Sequence, residues 1–195
     1  MKCGLILLAA GSSTRMGEPK QLMDYHGKPL LRHAVETALA SVCRPVIVVL
    51  GANAAAIGQA VPDLAVETVE NLRWSDGMGT SIQAGVRAAA ERELDGVILA
   101  LADQPLMTAE IYNRLVAQQE MTGKPIVTSE YAGTVGVPVL FTKEYFPQLL
   151  KLRPQQGCKG VILAHEAAVL RISCPEAEAD IDTPVDYQRL TENRT

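Results

Sequence analysis

"GLILLAAGSSTRMGEPK", residues 4–20, is a run of apolar residues that ends abruptly in a loop of small, hydroxyl-bearing and cationic residues. The uninterrupted apolar run predicts a β-strand that is covered on both faces. In the loop, Gly11 and Gly17 let the backbone approach a ligand closely, and Arg15 and Lys20 offer charge-assisted hydrogen bonds to phosphate. The stretch therefore predicts an anion-binding loop directly after a buried strand.

Two well-known phosphate-binding motifs do not fit this loop. The P-loop needs Gly-Lys followed by Ser or Thr, and the dinucleotide fingerprint needs three closely spaced glycines. Neither spacing occurs in residues 8–21. A nicotinamide-dependent oxidoreductase is therefore not favoured.

Strand-like and helical patterns alternate along the rest of the chain, which is typical of βαβ units and a mainly parallel sheet. We predict strands at 4–10, 45–51, 65–71, 96–103 and 124–131, and helices at 29–42, 53–60, 80–92 and 108–121. Beyond residue 130 the pattern becomes irregular, with short strands and helices and a terminal helix within 178–190. We expect a single three-layer α/β/α domain over residues 1–195.

Composition and charge exclude several classes of protein. The chain has 195 residues, of which 48% are hydrophobic and 21% charged, with a formal net charge of −4. These values are ordinary for a soluble globular domain and do not favour nucleic acid or an anionic membrane as a partner. No apolar stretch reaches transmembrane length and no secretory signal is recognisable, so we predict a cytoplasmic protein. The four cysteines and three histidines are scattered, which predicts free thiols.

Two further loops follow predicted strands, at the edge of the sheet where parallel α/β proteins bind ligands. "NLRWSDGMGTSIQAG", residues 71–85, is a glycine-rich lead into a helix, whose N-terminus either binds a phosphate or base edge or simply begins the helix. "LALADQPLMT", residues 99–108, places Asp103 directly after a buried strand. A carboxylate there suits Mg²⁺, and its alternative role is to cap a turn or helix.

A second carboxylate for such a metal ion is available near the C-terminus. "EADIDTPVDYQRL", residues 178–190, contains Asp180 and Asp182 just before the predicted last helix. One of the two is alternatively a cap of that helix. We prefer Asp182 as the ligand and leave Asp180 open.

In this order the motifs resemble those of the MobA/MocA-type nucleotidyltransferases: "LAAG-x-S-x-R-M-G-x-x-K", "N-x-x-W-x-x-G-M-G-x-S", "D-x-P" and "D-I-D-T-P-x-D-Y". The resemblance extends from residue 4 to about residue 190. It implies a Rossmann-like nucleotide-diphospho-sugar transferase fold with an irregular C-terminal part that binds the acceptor. It implies nucleotide contacts at Ala9, Ala10, Gly11, Gly79 and Ser81, catalytic roles for Arg15, Lys20 and Asp103, Mg²⁺ on Asp103 and Asp182, and acceptor contacts at Gly136 and Pro138. The family's later arginine is absent from this chain, and we expect Lys159 to replace it as a contact to the phosphate of the acceptor.

The "LAAG" form is similar to that of cytidylyl-transferring members, because guanylyl-transferring members typically have glycine at the position of Ala10. The resemblance thus implies transfer of CMP from CTP to molybdopterin, giving molybdopterin cytosine dinucleotide and pyrophosphate, with a molybdoenzyme as recipient of the product. Val137 and Cys158 depart from the family's histidine and acidic residue in the acceptor-binding half. Cytidylyl, uridylyl or guanylyl transfer to another phosphorylated acceptor therefore stays open, as does a non-catalytic carrier of the molybdenum cofactor.

Overall fold

The computed structural model describes residues 1–192, so the last three residues of the predicted domain lie outside the described part. The strands are β1 (Cys3–Ala9), β2 (Val46–Leu50), β3 (Glu67–Glu70), β4 (Gly96–Leu101), β5 (Ile126–Tyr131), β6 (Thr134–Thr142) and β7 (Val169–Ser173). The α-helices are α1 (Leu30–Ala40), α2 (Ala54–Gly58), α3 (Met78–Ala90), α4 (Ala109–Thr122), α5 (Phe146–Leu149), α6 (Lys159–Ala164) and α7 (Pro184–Glu192).

The strands form one sheet in the order β3-β2-β1-β4-β6-β5-β7. All neighbouring pairs are parallel except those of β6, which runs antiparallel to both β4 and β5. The predicted mainly parallel sheet is confirmed. The sequence did not predict the position of β6, which follows β5 in the chain but lies between β4 and β5 in the sheet.

Strand β1 is covered on both faces, as its continuous apolar sequence predicts. Leu5 and Leu7 belong to the apolar cluster that includes residues of α1 and α4, whereas Ile6 and Leu8 belong to the cluster on the opposite face, with residues of α3. This alternation follows from the two-residue period of a strand. The three-layer α/β/α arrangement is confirmed.

Helix α3 packs unusually close to the sheet at Gly85. A Cβ atom at that position would lie 2.5 Å from the Cγ2 atom of Ile6 and 3.1 Å from the Cγ2 atom of Val49. Glycine therefore lets the helix axis approach β1 and β2 more closely than any larger residue would allow. As a result, the first turn of α3 reaches the carboxyl end of β1.

The fold also bears on the predicted free thiols and on the lack of a transmembrane stretch. The four cysteines are free, as expected, and all are buried. Among residues 1–192, no helix has both the length and the apolar character needed to span a bilayer.

Candidate active site

A cavity of about 350 Å³ opens at the carboxyl ends of β1 and β4. It brings together side chains from all four sequence motifs. Nine of the sequence-predicted residues line it: Ala9, Ala10, Gly11, Arg15, Lys20, Ser81, Asp103, Asp180 and Asp182. This is the edge of the sheet at which open α/β folds bind ligands.

The loop after β1 is held in shape by Gln21, which is buried and which sequence reasoning did not single out. Its Nε2 atom donates hydrogen bonds to the carbonyl oxygens of Ala9 at 3.0 Å and Gly11 at 2.9 Å. Its Oε1 atom accepts one from the Ser13 hydroxyl at 3.3 Å, and that hydroxyl accepts one from the Lys20 amide at 3.1 Å. Gln21 thus connects both ends of the loop through hydrogen bonds and, through Ser13, fixes the backbone position of Lys20.

Lys20 joins the first, third and fourth motifs. Its ammonium group donates to a carboxylate oxygen of Asp103, to Asp182 Oδ1 at 3.1 Å and to the carbonyl oxygen of Ile181 at 2.9 Å. All three ammonium protons therefore have acceptors, and the side chain is only 14% exposed. Arg15 binds the other oxygen of Asp182 at 2.8 Å and is 68% exposed. The cluster leaves Lys20 enclosed and Arg15 at the mouth of the cavity.

The Oδ1 atom of Asp103 is buried and, within the described residues, has no hydrogen-bond partner. Its other oxygen accepts from Lys20. A buried carboxylate oxygen without a partner is costly and is therefore unusual in a folded protein. Its position in the wall of the cavity indicates a place for a cation or a hydrogen-bond donor of a ligand.

The cluster shifts the pKa values of three of its members. Burial by itself would lower the pKa of Lys20, but the charge of Asp103 and the hydrogen bonds to both carboxylates raise it on balance. Burial would raise the pKa of Asp182, but Lys20 and Arg15 lower it overall. The pKa of Asp180 is raised by burial and by the neighbouring charges of Asp182 and Asp103. At neutral pH, Lys20 is thus firmly cationic and Asp182 firmly anionic.

The predicted nucleotide contact Gly79 does not line the cavity. Its amide donates to the carbonyl oxygen of Pro154 at 2.8 Å. A Cβ atom there would lie 2.3 Å from the carbonyl oxygen of Arg153. The structure thus places Gly79 against the loop that follows α5, and its contact with a nucleobase stays a prediction.

The predicted acceptor contacts also lie outside the cavity wall. The carbonyl oxygens of Gly136 and Pro138, in the first half of β6, accept hydrogen bonds from buried hydroxyls of β5 at 2.9 and 2.8 Å. Lys159 donates to the Thr134 hydroxyl at 2.5 Å. Their contact with an acceptor stays a prediction.

An apolar wall, which the motifs only partly indicated, completes the cavity. Trp74 and Met78 belong to the second motif and line the cavity with Leu30. A Cβ atom at Gly51 would lie 2.5 Å from the Cβ of Trp74 and 2.8 Å from that of Ala10. Trp74 and the methyl group of Ala10 therefore both pack on Gly51, and both residues contribute apolar surface to the cavity.

Most of the chain matches a known protein family. The model of the MobA-like NTP transferase domain matches residues 5–169. The chain belongs to this family. It is accordingly a MobA-like nucleotidyltransferase, which confirms the family predicted from the motifs, and its Rossmann-like fold is shared with solved nucleotidyltransferases.

Curated relatives of this MobA-like nucleotidyltransferase have diverse names. Purine catabolism protein PucB of Bacillus subtilis (strain 168) is 29% identical over 95% of this chain and 94% of its own length. The molybdenum cofactor cytidylyltransferase of Escherichia coli (strain K12) is 24% identical over 97% of this chain and 96% of its own. Nicotine blue oxidoreductase of Paenarthrobacter nicotinovorans is 40% identical over 57% of this chain and 54% of its own.

Two solved structures resemble the MobA-like chain over nearly its whole length. The Mycobacterium tuberculosis Rv0371c homologue from Mycobacterium sp. strain JC1 has a TM-score of 0.83 and 29% identity, covering 98% of this chain and 96% of its own. Rv0371c of Mycobacterium tuberculosis H37Rv in complex with manganese has a TM-score of 0.73 and 27% identity, covering 98% of this chain and 99% of its own. Both matches extend through the C-terminal segment that supplies Asp182.

Proposed function

We propose that this chain is one nucleotidyltransferase domain that transfers CMP from CTP to the terminal phosphate of molybdopterin. The products are molybdopterin cytosine dinucleotide and pyrophosphate. The observation that carries the proposal is the meeting of Arg15, Lys20, Asp103 and Asp182 around one cavity that apolar side chains also line. A nucleoside triphosphate has the matching polarity, with a charged tail and a flat base.

The charges in the cavity favour entry of the triphosphate together with a divalent cation. Two cationic side chains share the cavity with three carboxylates, so a strongly anionic ligand alone would meet net repulsion. Mg²⁺ is usually bound through one or two carboxylates together with phosphate oxygens and water. Asp103 and Asp182 already share one cation in the structure, the Lys20 ammonium group, and Asp103 retains a buried oxygen without a partner.

These two carboxylates therefore fit Mg²⁺ and would hold it. Within residues 1–192 there is no cluster of three or more His, Cys, Asp or Glu side chains suited to a metal, which agrees with an ion that completes its shell with substrate oxygens. When bound, Mg²⁺ would neutralise charge on the phosphates. The manganese complex of the related Rv0371c supports a divalent cation in this kind of fold.

The proposed reaction needs positioning more than proton transfer. A terminal phosphate oxygen of the acceptor forms a bond to the α-phosphorus, and the bond from that phosphorus to the bridging oxygen breaks, releasing pyrophosphate. A phosphate monoester is already anionic near neutral pH, so no base has to remove a proton. Lys20 exchanges a carboxylate for a phosphate oxygen, and Arg15 binds the phosphates from the mouth of the cavity. Both stabilise the negative charge that builds up during transfer.

The preference for CTP rests on the apolar lining of the cavity. Ala10 is buried, its methyl group packs on Gly51 as Trp74 does, and both residues line the cavity. Glycine at this position would leave space for a larger base, whereas alanine favours a pyrimidine. The full-length similarity to a molybdenum cofactor cytidylyltransferase supports both CTP and a molybdopterin acceptor.

Two other functions are compatible with part of these observations. Transfer of a cytidylyl, uridylyl or guanylyl group to another phosphorylated acceptor would use the same loop, and Val137 and Cys158 depart from the family pattern on the acceptor side. A non-catalytic carrier that delivers the cofactor to a molybdoenzyme would not need the cluster of Lys20, Asp103 and Asp182. We therefore favour the transferase.

The test is pyrophosphate release. Purified protein is incubated with Mg²⁺, molybdopterin and, separately, CTP, GTP, ATP and UTP. Release with CTP alone is expected. If no nucleotide supports release, a titration of CTP with Mg²⁺ decides further: tight binding means another acceptor, and absence of binding contradicts the transferase proposal. Release with GTP alone would contradict the role of Ala10.

A further inference from the structure

We propose that Asn71, at the carboxyl end of β3, is a positioning residue that makes the Ser81 hydroxyl a hydrogen-bond donor toward the base of the bound nucleotide. This inference rests on the proposed function, because it places a base next to Ser81. Sequence reasoning assigned no role to Asn71, although the second motif begins with it. Its side chain is buried, with 5% relative exposure, directly behind the wall of the cavity.

The orientation of the Asn71 amide is fixed by its surroundings. The Arg73 backbone amide, which can only donate, lies 3.0 Å from Oδ1 of Asn71. The oxygen must therefore face this amide, and the NH₂ group must face the opposite side. There, Nδ2 donates to the Thr80 hydroxyl at 2.8 Å and to the Ser81 hydroxyl at 3.0 Å. Both of its protons and its oxygen are thus used.

The two hydroxyls that accept from Asn71 differ in where their own protons go. The Thr80 hydroxyl donates within the protein, because the carbonyl oxygens of Arg73 and Gly77 lie at 2.9 and 2.8 Å. The Ser81 hydroxyl lines the cavity and, among the described residues, has no acceptor for its proton. Asn71 donates to one of the two lone pairs of this oxygen, whereas the hydroxyl proton has no partner in the described part of the protein, so Ser81 has a proton to offer to whatever fills the cavity. The relative exposure of Ser81 is 5%.

A fixed donor discriminates between pyrimidines. Cytosine has an unprotonated ring nitrogen, N3, next to its O2 carbonyl, whereas uracil has an N–H group at position 3. In the proposed arrangement, position 3 of the ring faces the Ser81 hydroxyl, whose unused proton pairs with N3 of cytosine but meets an N–H group in uracil. The Asn71–Ser81 pair would therefore favour CTP over UTP, a choice to which the size of Ala10 cannot contribute because the two bases are equally large.

The test inverts the hydrogen bond. Asn71→Asp keeps the shape and the acceptor for the Arg73 amide, but its second oxygen accepts from Ser81 instead of donating to it. The measurement is the ratio of the dissociation constants for UTP and CTP, by titration with Mg²⁺. The added negative charge repels both triphosphates equally, so it cancels in this ratio. We expect wild type to bind CTP more tightly, and Asn71→Asp to lower the ratio by about three- to tenfold, the value of one neutral hydrogen bond.

Two companion variants separate positioning from simple structural support. Ser81→Ala should lower the ratio by a similar factor, and adding Asn71→Asp to it should lower the ratio no further. Thr80→Val removes the neighbouring hydroxyl of the same network, so it should lower the melting temperature but leave the ratio within twofold. Thermal melting of each variant verifies that it folds.

An unchanged ratio in Asn71→Asp would overturn the inference, and so would an equal fall on the Ser81→Ala background. If instead Asn71→Asp does not fold, Ser81→Ala alone decides, because a ratio equal to that of wild type contradicts Ser81 as the discriminating donor. Wild-type protein that binds none of the four nucleoside triphosphates would overturn the proposed function as well. Binding of CTP with an unaltered ratio in the variants would overturn this inference alone.

Discussion

Replacing Lys20 by methionine tests the charge cluster most directly. The change keeps an unbranched side chain but removes the ammonium group that Asp103 shares with Asp182. Asp103 and Asp182 are 17% and 34% exposed, so the loss lies between the values for surface and fully buried ion pairs. Those are about 0–1 and about 3–5 kcal/mol, and we expect about 2 kcal/mol. For a chain of this size, that lowers the melting temperature by roughly 4–8 °C.

The same variant should lose activity far beyond its loss of stability. Lys20 is proposed to stabilise charge on the phosphates in the transition state, and removal of one such contact typically costs about 10²–10³-fold in turnover. Pyrophosphate release at saturating CTP measures this. Mg²⁺ should raise the melting temperature of Lys20→Met more than that of wild type, because the cation replaces the missing ammonium group between the two carboxylates.

The stability difference between wild type and Lys20→Met should depend on pH. Asp182 has a lowered pKa in the folded state, so its pairing with Lys20 stabilises the fold above the unfolded pKa of about 3.9. That contribution is lost as the pH falls through the folded value. Lys20 has a raised pKa, so its contribution is lost only as the pH rises above about 10.4. Melting temperatures should therefore differ at pH 7 and converge below about pH 4.

Lys28→Met is the matched control. Lys28 forms an ion pair with Glu36, and both side chains are about one-third exposed. Its loss should cost at most about 1 kcal/mol and leave turnover unchanged. If Lys20→Met kept turnover within threefold of wild type, or melted no lower than Lys28→Met, the assigned role of the Lys20 cluster would be wrong.

Three further predictions address other parts of the site. Asp182→Asn should reduce pyrophosphate release by about 10²-fold or more, and Asp180→Asn should reduce it by less than tenfold. The reason is that Asp182 forms ion pairs with both Arg15 and Lys20. A larger loss of activity in Asp180→Asn than in Asp182→Asn would make Asp180 the metal ligand. Ala10→Gly should reduce the preference for CTP over GTP, measured as the ratio of kcat/KM values, by roughly tenfold or more, and an unaltered ratio would reject the size argument. Gly79→Ala should lower the free energy of unfolding, measured in urea, by about 1–3 kcal/mol, because its Cβ would lie 2.3 Å from a backbone carbonyl oxygen. The control is Gly160→Ala, which should be neutral or stabilising because there is open space around that position. Equal stability of the two variants would contradict the packing described for Gly79.

Much of the fold could be predicted from local patterns. The predicted strand at 4–10 is β1, Cys3–Ala9, and the predicted helix at 29–42 is α1, Leu30–Ala40. Strand β1 was predictable because burial on both faces requires an uninterrupted apolar run. The predicted strand at 65–71 shortens to β3, Glu67–Glu70, which lies at the edge of the sheet. An edge strand has only one neighbour to define its ends.

The site was predictable as a set of loops but not as a set of contacts. Four motifs follow predicted strands or precede the last helix, and their convergence follows from the parallel sheet. The pairing of Lys20 with Asp103 joins positions 83 apart in the chain, and its pairing with Asp182 joins positions 162 apart. No local pattern encodes such distances. Gln21 was missed because its side chain binds the backbone carbonyl groups of Ala9 and Gly11, which every sequence offers and which only the folded loop brings next to it.

By itself, the sequence determined the alternation of strands and helices, the anionic character of the ligand and the family, because these depend on residue types at short spacings. Only the tertiary structure decided that β6 lies antiparallel between β4 and β5, that Gly79 packs on a loop instead of lining the cavity, and that Asn71 donates a hydrogen bond to the Ser81 hydroxyl. Each of these depends on which distant backbone comes within a few ångströms. That proximity is set by packing of the whole core, in which many weak contacts act together, and not by any one stretch of chain.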